Sequence, residues 1–325
     1  MTHTQALSRR SIIAAALASS LAPLAVQAQS GTVRIILPNA TGSGVDAITR
    51  AAQPALARAL NASVVVDNQA GAGGVVGLNA LARAPADGTA LSVVSNNVVI
   101  LPSVMKSLPF DMPGDFTPIA IVGATPMVLV VNPARVAATN SKEFIALLKA
   151  KPGTLNFASG GTGTILHLAT ELFLEESGAS ARHIPYKGVG PMVTDLIGGQ
   201  VEFGTAALPS VQAHIKSGAL RAIGMLTAQR SPAAPEIPTF AEQGMPNFVV
   251  EAWFAVIGPK NLPAVQVKKI NEAFVTAFAD PTVKEAMAKQ GNSINISTPE
   301  QAQTAFRREL AKYAALVKKA GIEPQ

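Results

Sequence analysis

Twice in this chain a short apolar run ends in a loop of small residues that opens directly into a helical pattern. The first runs from residues 33–37 into Pro38-Asn39-Ala40-Thr41-Gly42-Ser43-Gly44-Val45-Asp46, with a helical run beginning at Ala47. The second runs from Leu155-Asn156-Phe157 into Ala158-Ser159-Gly160-Gly161-Thr162-Gly163-Thr164, with a helical run over 165–175. A strand, such a loop and a helix together turn free backbone N–H groups and the positive end of a helix dipole toward one point, where an anion is stabilised. One such loop is an ordinary turn. Two of them in a chain of 325 residues predict two lobes that face each other through the loops.

The N-terminus reads as an address. Ser8-Arg9-Arg10 precedes the apolar run 11–17, and Val26-Gln27-Ala28 offers small residues before a cut. The expectation is a signal peptide over 1–28, a mature chain from Gln29, and export by the twin-arginine or the general secretory route. A membrane anchor fits less well, because the run is short and Pro23 interrupts it.

Composition then excludes whole classes. Without cysteine there are no disulfides, thiolate metal sites or iron–sulfur clusters. Hydrophobic residues at 48% against 14% charged make a core-rich chain rather than a disordered one. The net charge of +6 falls to +4 once Arg9 and Arg10 leave, and no basic block with interleaved aromatics marks a nucleic-acid partner.

Along the chain, strands are expected over 33–37, 63–66 and 90–94, with a helix over 47–60 that Pro54 should kink or break. Gly71-Ala72-Gly73-Gly74-Val75-Val76-Gly77 has the look of a dinucleotide fingerprint. Its spacing is wrong and the acid that should follow the next strand is missing, so it reads as a tight turn packing a helix against the sheet. Residues 118–131 and 248–257 suit passages between the lobes, giving lobe 1 as 29–130 plus 252–325 and lobe 2 as 131–251. Near the C-terminus, Thr298-Pro299-Glu300-Gln301 opens a helix with Phe306, Leu310, Tyr313 and Val317 on one face.

Catalytic groups are sparse. His167, His183 and His214 form no metal motif, and no serine sits in a nucleophile elbow. His167, in the first turn after the second loop, is the one candidate base for an enzyme; the reading preferred is that it braces the loop. Opposed helix N-termini lined by neutral donors suit binding and release of a carboxylate better than chemistry.

These residues resemble a known family across nearly the whole mature chain. The matching stretches, in order, are Asn68-Gln69-Ala70-Gly71-Ala72-Gly73-Gly74, Ala86-Asp87-Gly88-Thr89, Asp115-Phe116-Thr117-Pro118-Ile119, Ser159-Gly160-Gly161-Thr162-Gly163, His183-Ile184-Pro185-Tyr186-Lys187-Gly188, Asp195-Leu196-Ile197-Gly198-Gly199-Gln200-Val201 and Leu208-Pro209-Ser210, then Arg230-Ser231-Pro232 and Pro238-Thr239-Phe240-Ala241-Glu242. The chain resembles the substrate-binding proteins of tripartite tricarboxylate transporters, the Bug or TctC family. The resemblance implies an α/β, two-lobed periplasmic-binding-protein fold, type II-like, with a strand hinge and an interdomain ligand cleft. It implies a periplasmic monomer with no cofactor and no metal, not an enzyme. Such a receptor binds a small di-, tri- or aromatic carboxylate and hands it to membrane transporter subunits or reports it to a sensor protein.

On that reading the ligand-binding residues are Asn39, Ala40, Thr41, Gly42, Ser43 and Gly44 on the first loop and Ser159, Gly160, Thr162, Gly163 and Thr164 on the second. Ser95, Asn96, Tyr186 and Ala206 shape the pocket. Three departures bear on the ligand. Asn39 and Thr41 add polar groups where the family is commonly apolar, Thr89 follows Gly88 where a tyrosine is frequent, and Ala206-Ala207 replaces an Asp-Asn pair. Losing that acid removes a partner for an amino group, which favours carboxylates without one.

Overall fold

The computed structural model describes residues 31–39 and 41–324. The expected signal peptide and Ala40 lie outside the described residues.

The first half of the chain alternates strand and helix. β1 (Thr32–Leu37) leads into α1 (Gly44–Leu60), β2 (Ser63–Asn68), α2 (Val75–Ala82), β3 (Ala90–Ser95) and α3 (Asn97–Val104). β4 (Phe116–Thr125) then passes through Pro126 alone into β5 (Met127–Val131). After α4 (Ser141–Ala150) come β6 (Asn156–Ser159), α5 (Ile165–Ser177), β7 (Arg182–Pro185), α6 (Val189–Ile197), β8 (Phe203–Ala207), α7 (Leu208–Lys216) and β9 (Arg221–Met225). A long segment returns to β10 (Ala252–Pro259), followed by α8 (Ala264–Ala279), α9 (Pro281–Lys289), β11 (Ser293–Ile294) and α10 (Pro299–Lys319).

The strands form two sheets, in the orders β11-β4-β10-β3-β1-β2 and β7-β6-β8-β5-β9. β1 runs parallel to β2 and β3, while β10 runs antiparallel to β3 and β4. In the second sheet β6 is parallel to β7 and β8, and β5 is antiparallel to β8 and β9. Because β4 belongs to one sheet and β5 to the other, residues 125–127 are one crossover; the segment from β9 to β10 is the second. The crossovers are stitched together: the Leu226 N–H donates to the Met127 carbonyl at 2.8 Å and the Val250 N–H to the Leu226 carbonyl at 2.9 Å. This is a two-lobed α/β fold with a strand hinge.

Strand alternation covers both faces of the first sheet. Ile35 and Leu37 point into a core with α1, α8 and α9, whereas Ile36 points into a second core that continues through the hinge to Met127, Phe157 and Phe203 of the other lobe. Each such side chain is fully buried and contributes about 1.5–3 kcal/mol. Of the two outcomes expected at Pro54, a kink or a break, the break does not occur: α1 runs through Pro54 as one helix. The proline lies on the exposed face, and the Arg50 carbonyl that lost its donor is on the same exposed face, within reach of water.

The last helix joins the lobes. α10 starts with a capping box, the Thr298 hydroxyl accepting the Gln301 N–H at 3.2 Å and the Gln301 carboxamide accepting the Thr298 N–H at 3.0 Å. It packs on α3 and β4 of one lobe and on α5 of the other, where Lys319 pairs with Glu175.

Candidate functional site

The first loop is held from beneath by a residue inside its own motif. Asp46 sits at the third position of α1, where a Ser-x-x-Asp pattern caps a helix; the Ser43 hydroxyl accepts the Asp46 N–H at 3.3 Å. The Asp46 carboxylate, only 3% exposed, accepts from the Gly42 N–H at 2.9 Å, Arg50 Nε at 2.9 Å and Asn68 Nδ2 at 3.0 Å. Burial pushes its carboxyl up, but these donors outweigh burial and its pKa falls below the ordinary range. Thr41, Gly42 and Gly44 are left exposed and Ser43 partly so, with the N-terminus of α1 open beside them. Asn39 is half-buried, and its Oδ1 is buried without a partner among the described residues.

The second loop is braced by two imidazoles. The Ser159 hydroxyl accepts the Gly161 N–H at 3.2 Å and lies 2.7 Å from His183 Nε2. The Thr164 hydroxyl caps α5, donating to the Gly161 carbonyl at 2.8 Å and accepting the His167 N–H at 3.5 Å. The Gly163 N–H donates to His167 Nδ1 at 3.1 Å, which places the ring proton on Nε2, 3.4 Å from Glu171 Oε1. The His167 and His183 rings stack at 3.7 Å and 9°, and His183 rests in turn on Phe157 at 4.8 Å. Burial, and then the neighbouring His167, lower the His183 pKa to about 4, so its ring is neutral near pH 7. His167 is thus a brace, as its position after the loop suggested. The part of His183 was missed, although it stands in the His-Ile-Pro-Tyr-Lys-Gly stretch.

Across the hinge, what meets the second loop is α3 rather than the first loop. Asn97 Oδ1 accepts the Ile165 N–H at 3.4 Å, and Val104 packs so closely on Gly163 that a Cβ added there would lie 2.9 Å from Val104 Cγ1. A cavity of about 160 Å³ separates the two, lined by Gly73, Asn97 and Val104 on one side and Thr162, Gly163 and Thr164 on the other, with Ile322 and the exposed Glu323 completing its wall. The turn at Gly73 therefore does more than pack, though it packs too: a Cβ on Gly77 would lie 2.9 Å from both Pro38 Cα and the Gln69 carbonyl. Pro38 also abuts Gly74, so the first loop, this turn and the second loop adjoin in series.

The remaining expected residues fall elsewhere. The Tyr186 hydroxyl is tied to Asp195 Oδ2 at 2.7 Å within its own lobe, and burial together with that carboxylate pushes its pKa up to about 12. Asn96 is fully buried at the hinge, donating from Nδ2 to the Glu251 carbonyl at 3.1 Å and to the Tyr313 hydroxyl at 3.3 Å. Its neighbour Ser95, which ends β3, is the partly open one. Ala206 is fully buried opposite Val128 and offers no surface to a cleft, because strand alternation opens Ala207 instead. Ser159 is fully buried and Gly160 partly open, so this end of the loop presents backbone more than hydroxyl.

Comparison with known proteins follows the same outline. Residues 48–322 match the family described as tripartite tricarboxylate transporter family receptor. The chain is similar to the protein BugT of Bordetella pertussis, 38% identical over 293 residues that cover 90% of each. Among solved structures, Rpa4515 of R. palustris with adipate gives a TM-score of 0.78 at 27% identity, over 90% of this chain and 98% of that one. MatC from Rhodopseudomonas palustris with bound malate gives 0.73 at 25% identity, over 88% and 98%.

Proposed function

The chain belongs to the tripartite tricarboxylate transporter receptor family, and from that premise we propose that it closes on a small carboxylate between its lobes and delivers it to a membrane transporter. The family consists of periplasmic solute-binding receptors rather than enzymes, and this chain is such a receptor. The observation that carries the ligand reading is the second loop. Thr162, Gly163 and Thr164 lie at the N-terminus of α5 and line a cavity whose other wall belongs to the opposite lobe; the Gly163, Thr164, Ile165 and His167 N–H groups are bonded within the fold, which leaves the exposed Thr162 as the donor facing a ligand.

At about 160 Å³ that cavity is below the roughly 300–1,000 Å³ of most small-molecule sites. A ligand therefore enters by parting the lobes, and closure around it is a population shift about the strand hinge. In this reading lobe 1 comprises residues 29–130 and 252–325, lobe 2 comprises 131–251, and the exported chain works as a monomer. The hydroxyls of Thr41, Ser43 and Thr162 and the Thr162 N–H share the carboxylate charge, with Asn39 beside them, whereas the hydroxyl and N–H of Thr164 are both spent on the Gly161 carbonyl. The preference for a ligand without an amino group rests on the sequence departure at Ala206-Ala207 alone, since Ala206 is buried and only Ala207 is partly open. Adipate and malate, bound by the two R. palustris proteins, are of that kind.

The test is a melting-temperature screen of the chain from Gln29 against di-, tri- and aromatic carboxylates and amino acids. A ligand present at about 100 times its Kd stabilises the folded state by about 2.7 kcal/mol. The expected result is a shift with a carboxylate lacking an amino group. A larger shift with an amino acid than with its deaminated counterpart overturns the ligand class, and no shift after unfolding and refolding to strip bound solute overturns the site.

A further inference from the structure

A second cavity lies on the other side of the hinge. It measures about 560 Å³, within the range of small-molecule sites, and both lobes build it. Ala124 and Ser293 come from the β4–β11 end of the first sheet, Ala228 and Pro232 from the segment just past β9, and Pro126 and Glu251 from the two crossovers. The glycine loops follow β1 and β6, toward the opposite ends of the same two sheets. The crossovers therefore stand between this cavity and the cleft.

Its wall is mainly apolar, with one charge left unanswered. The Glu251 carboxylate has no hydrogen bond or ion pair among the described residues, although its backbone carbonyl is taken by Asn96. Arg230, on the same wall, is already committed, with Nε 2.9 and 3.0 Å from the two Glu242 oxygens and NH1 2.8 Å from the Pro235 carbonyl. Glu309, which acts on Glu251 from α10, is itself met by Arg308 at 3.4 Å and by the Trp253 indole at 3.4 Å. Glu251 is exposed and borders the cavity, and partial burial of its carboxyl, then Glu309, raises it above the ordinary range. A cation in the cavity would relieve both effects.

We propose that this cavity is a second binding site, for a small organic cation whose ammonium head meets Glu251 while its apolar stem lies along Pro126, Ala228 and Pro232. The site does not depend on the carboxylate reading of the front cleft. Since both lobes contribute walls, its occupancy is linked to the hinge angle, and so to whatever the cleft holds.

Isothermal titration of the chain from Gln29 with hexylammonium chloride tests this, with 1-hexanol as the uncharged match. Two variants accompany it: Glu251→Gln, which removes the charge, and Ala228→Trp, which fills the cavity from an exposed position. The expected result is one hexylammonium site per chain, about tenfold weaker in Glu251→Gln, about tenfold weaker again for hexanol, and lost in Ala228→Trp at an unchanged melting temperature. Hexylammonium binding that survives in both variants, hexanol binding as tightly as the amine, or no binding of the amine at all overturns the proposal.

Discussion

Adding one methyl group at Gly163 tests whether α3 and the second loop meet across the hinge. Gly163 has φ +74°, which costs an alanine about 1–2 kcal/mol wherever the lobes are. Its new Cβ would also lie 2.9 Å from Val104 Cγ1, 3.1 Å from Cβ and 3.3 Å from Cγ2, an overpacking worth about 1–3 kcal/mol that exists only while the lobes touch. Gly163→Ala should therefore destabilise by about 2–5 kcal/mol. Val104→Ala alone should cost about 1 kcal/mol, since Val104 is only half-buried. Together the two should cost less than their sum by about 1 kcal/mol, because trimming Val104 removes the two methyl contacts and leaves only the one at 3.1 Å. Urea denaturation of the four proteins gives the coupling directly, and the unfolded-state part of the glycine substitution cancels in the cycle. Additivity within about 0.5 kcal/mol would refute the contact, and with it the cavity between α3 and the loop.

Asp46→Ala should cost about 2 kcal/mol in the same assay, below the usual 3–5 kcal/mol for a broken buried pair because Arg50 is 44% exposed and stays hydrated; a loss under about 0.5 kcal/mol would mean that the first loop does not rest on this carboxylate. His183 sets a pH dependence. Its pKa is about 4 in the fold against the ordinary 6.5, so between these values the unfolded chain takes a proton that the folded chain refuses. Stability should fall as pH drops from about 6.5 to about 4, by at most about 3 kcal/mol, and the loss should level off below that. The difference in melting temperature between wild type and His183→Gln, followed over this window, isolates the effect; parallel curves would contradict it. Thr298→Ala should cost about 1 kcal/mol by removing one arm of the capping box, and an unchanged melting temperature would place the start of α10 elsewhere.

Much of this architecture was legible because it is local. The strand before each glycine loop, the helix after it and the capping box at Thr298 are written in adjacent residues, and period-two and period-3.6 spacing reads them. Whether Pro54 breaks α1 could not be read, because the sequence does not tell which face of α1 meets water. The eight residues of α3, four of them a solid apolar run from Val98 to Leu101 and with Pro102 near the end, carry no helical periodicity and were not assigned. Yet α3 is what faces the second loop, and that pairing depends on the hinge. The imidazole stack escaped notice for a similar reason, since His167 and His183 lie on different elements and meet only when α5 packs beside β7. Ala206 was placed from a motif alone, and only strand register decides which of two adjacent alanines is open.

The central claim is that a carboxylate binds between the lobes at the second loop, and one titration addresses it. Thr162 is exposed at the mouth of the cavity, so Thr162→Trp should fill the site without disturbing the fold. Calorimetric titration with the carboxylate that most raises the melting temperature should give one site per chain in the wild type. In a Thr162→Trp protein of unchanged melting temperature, the affinity should fall by about a hundredfold, equivalent to about 2.8 kcal/mol. Equal affinity in the two proteins would place the carboxylate elsewhere and contradict the account.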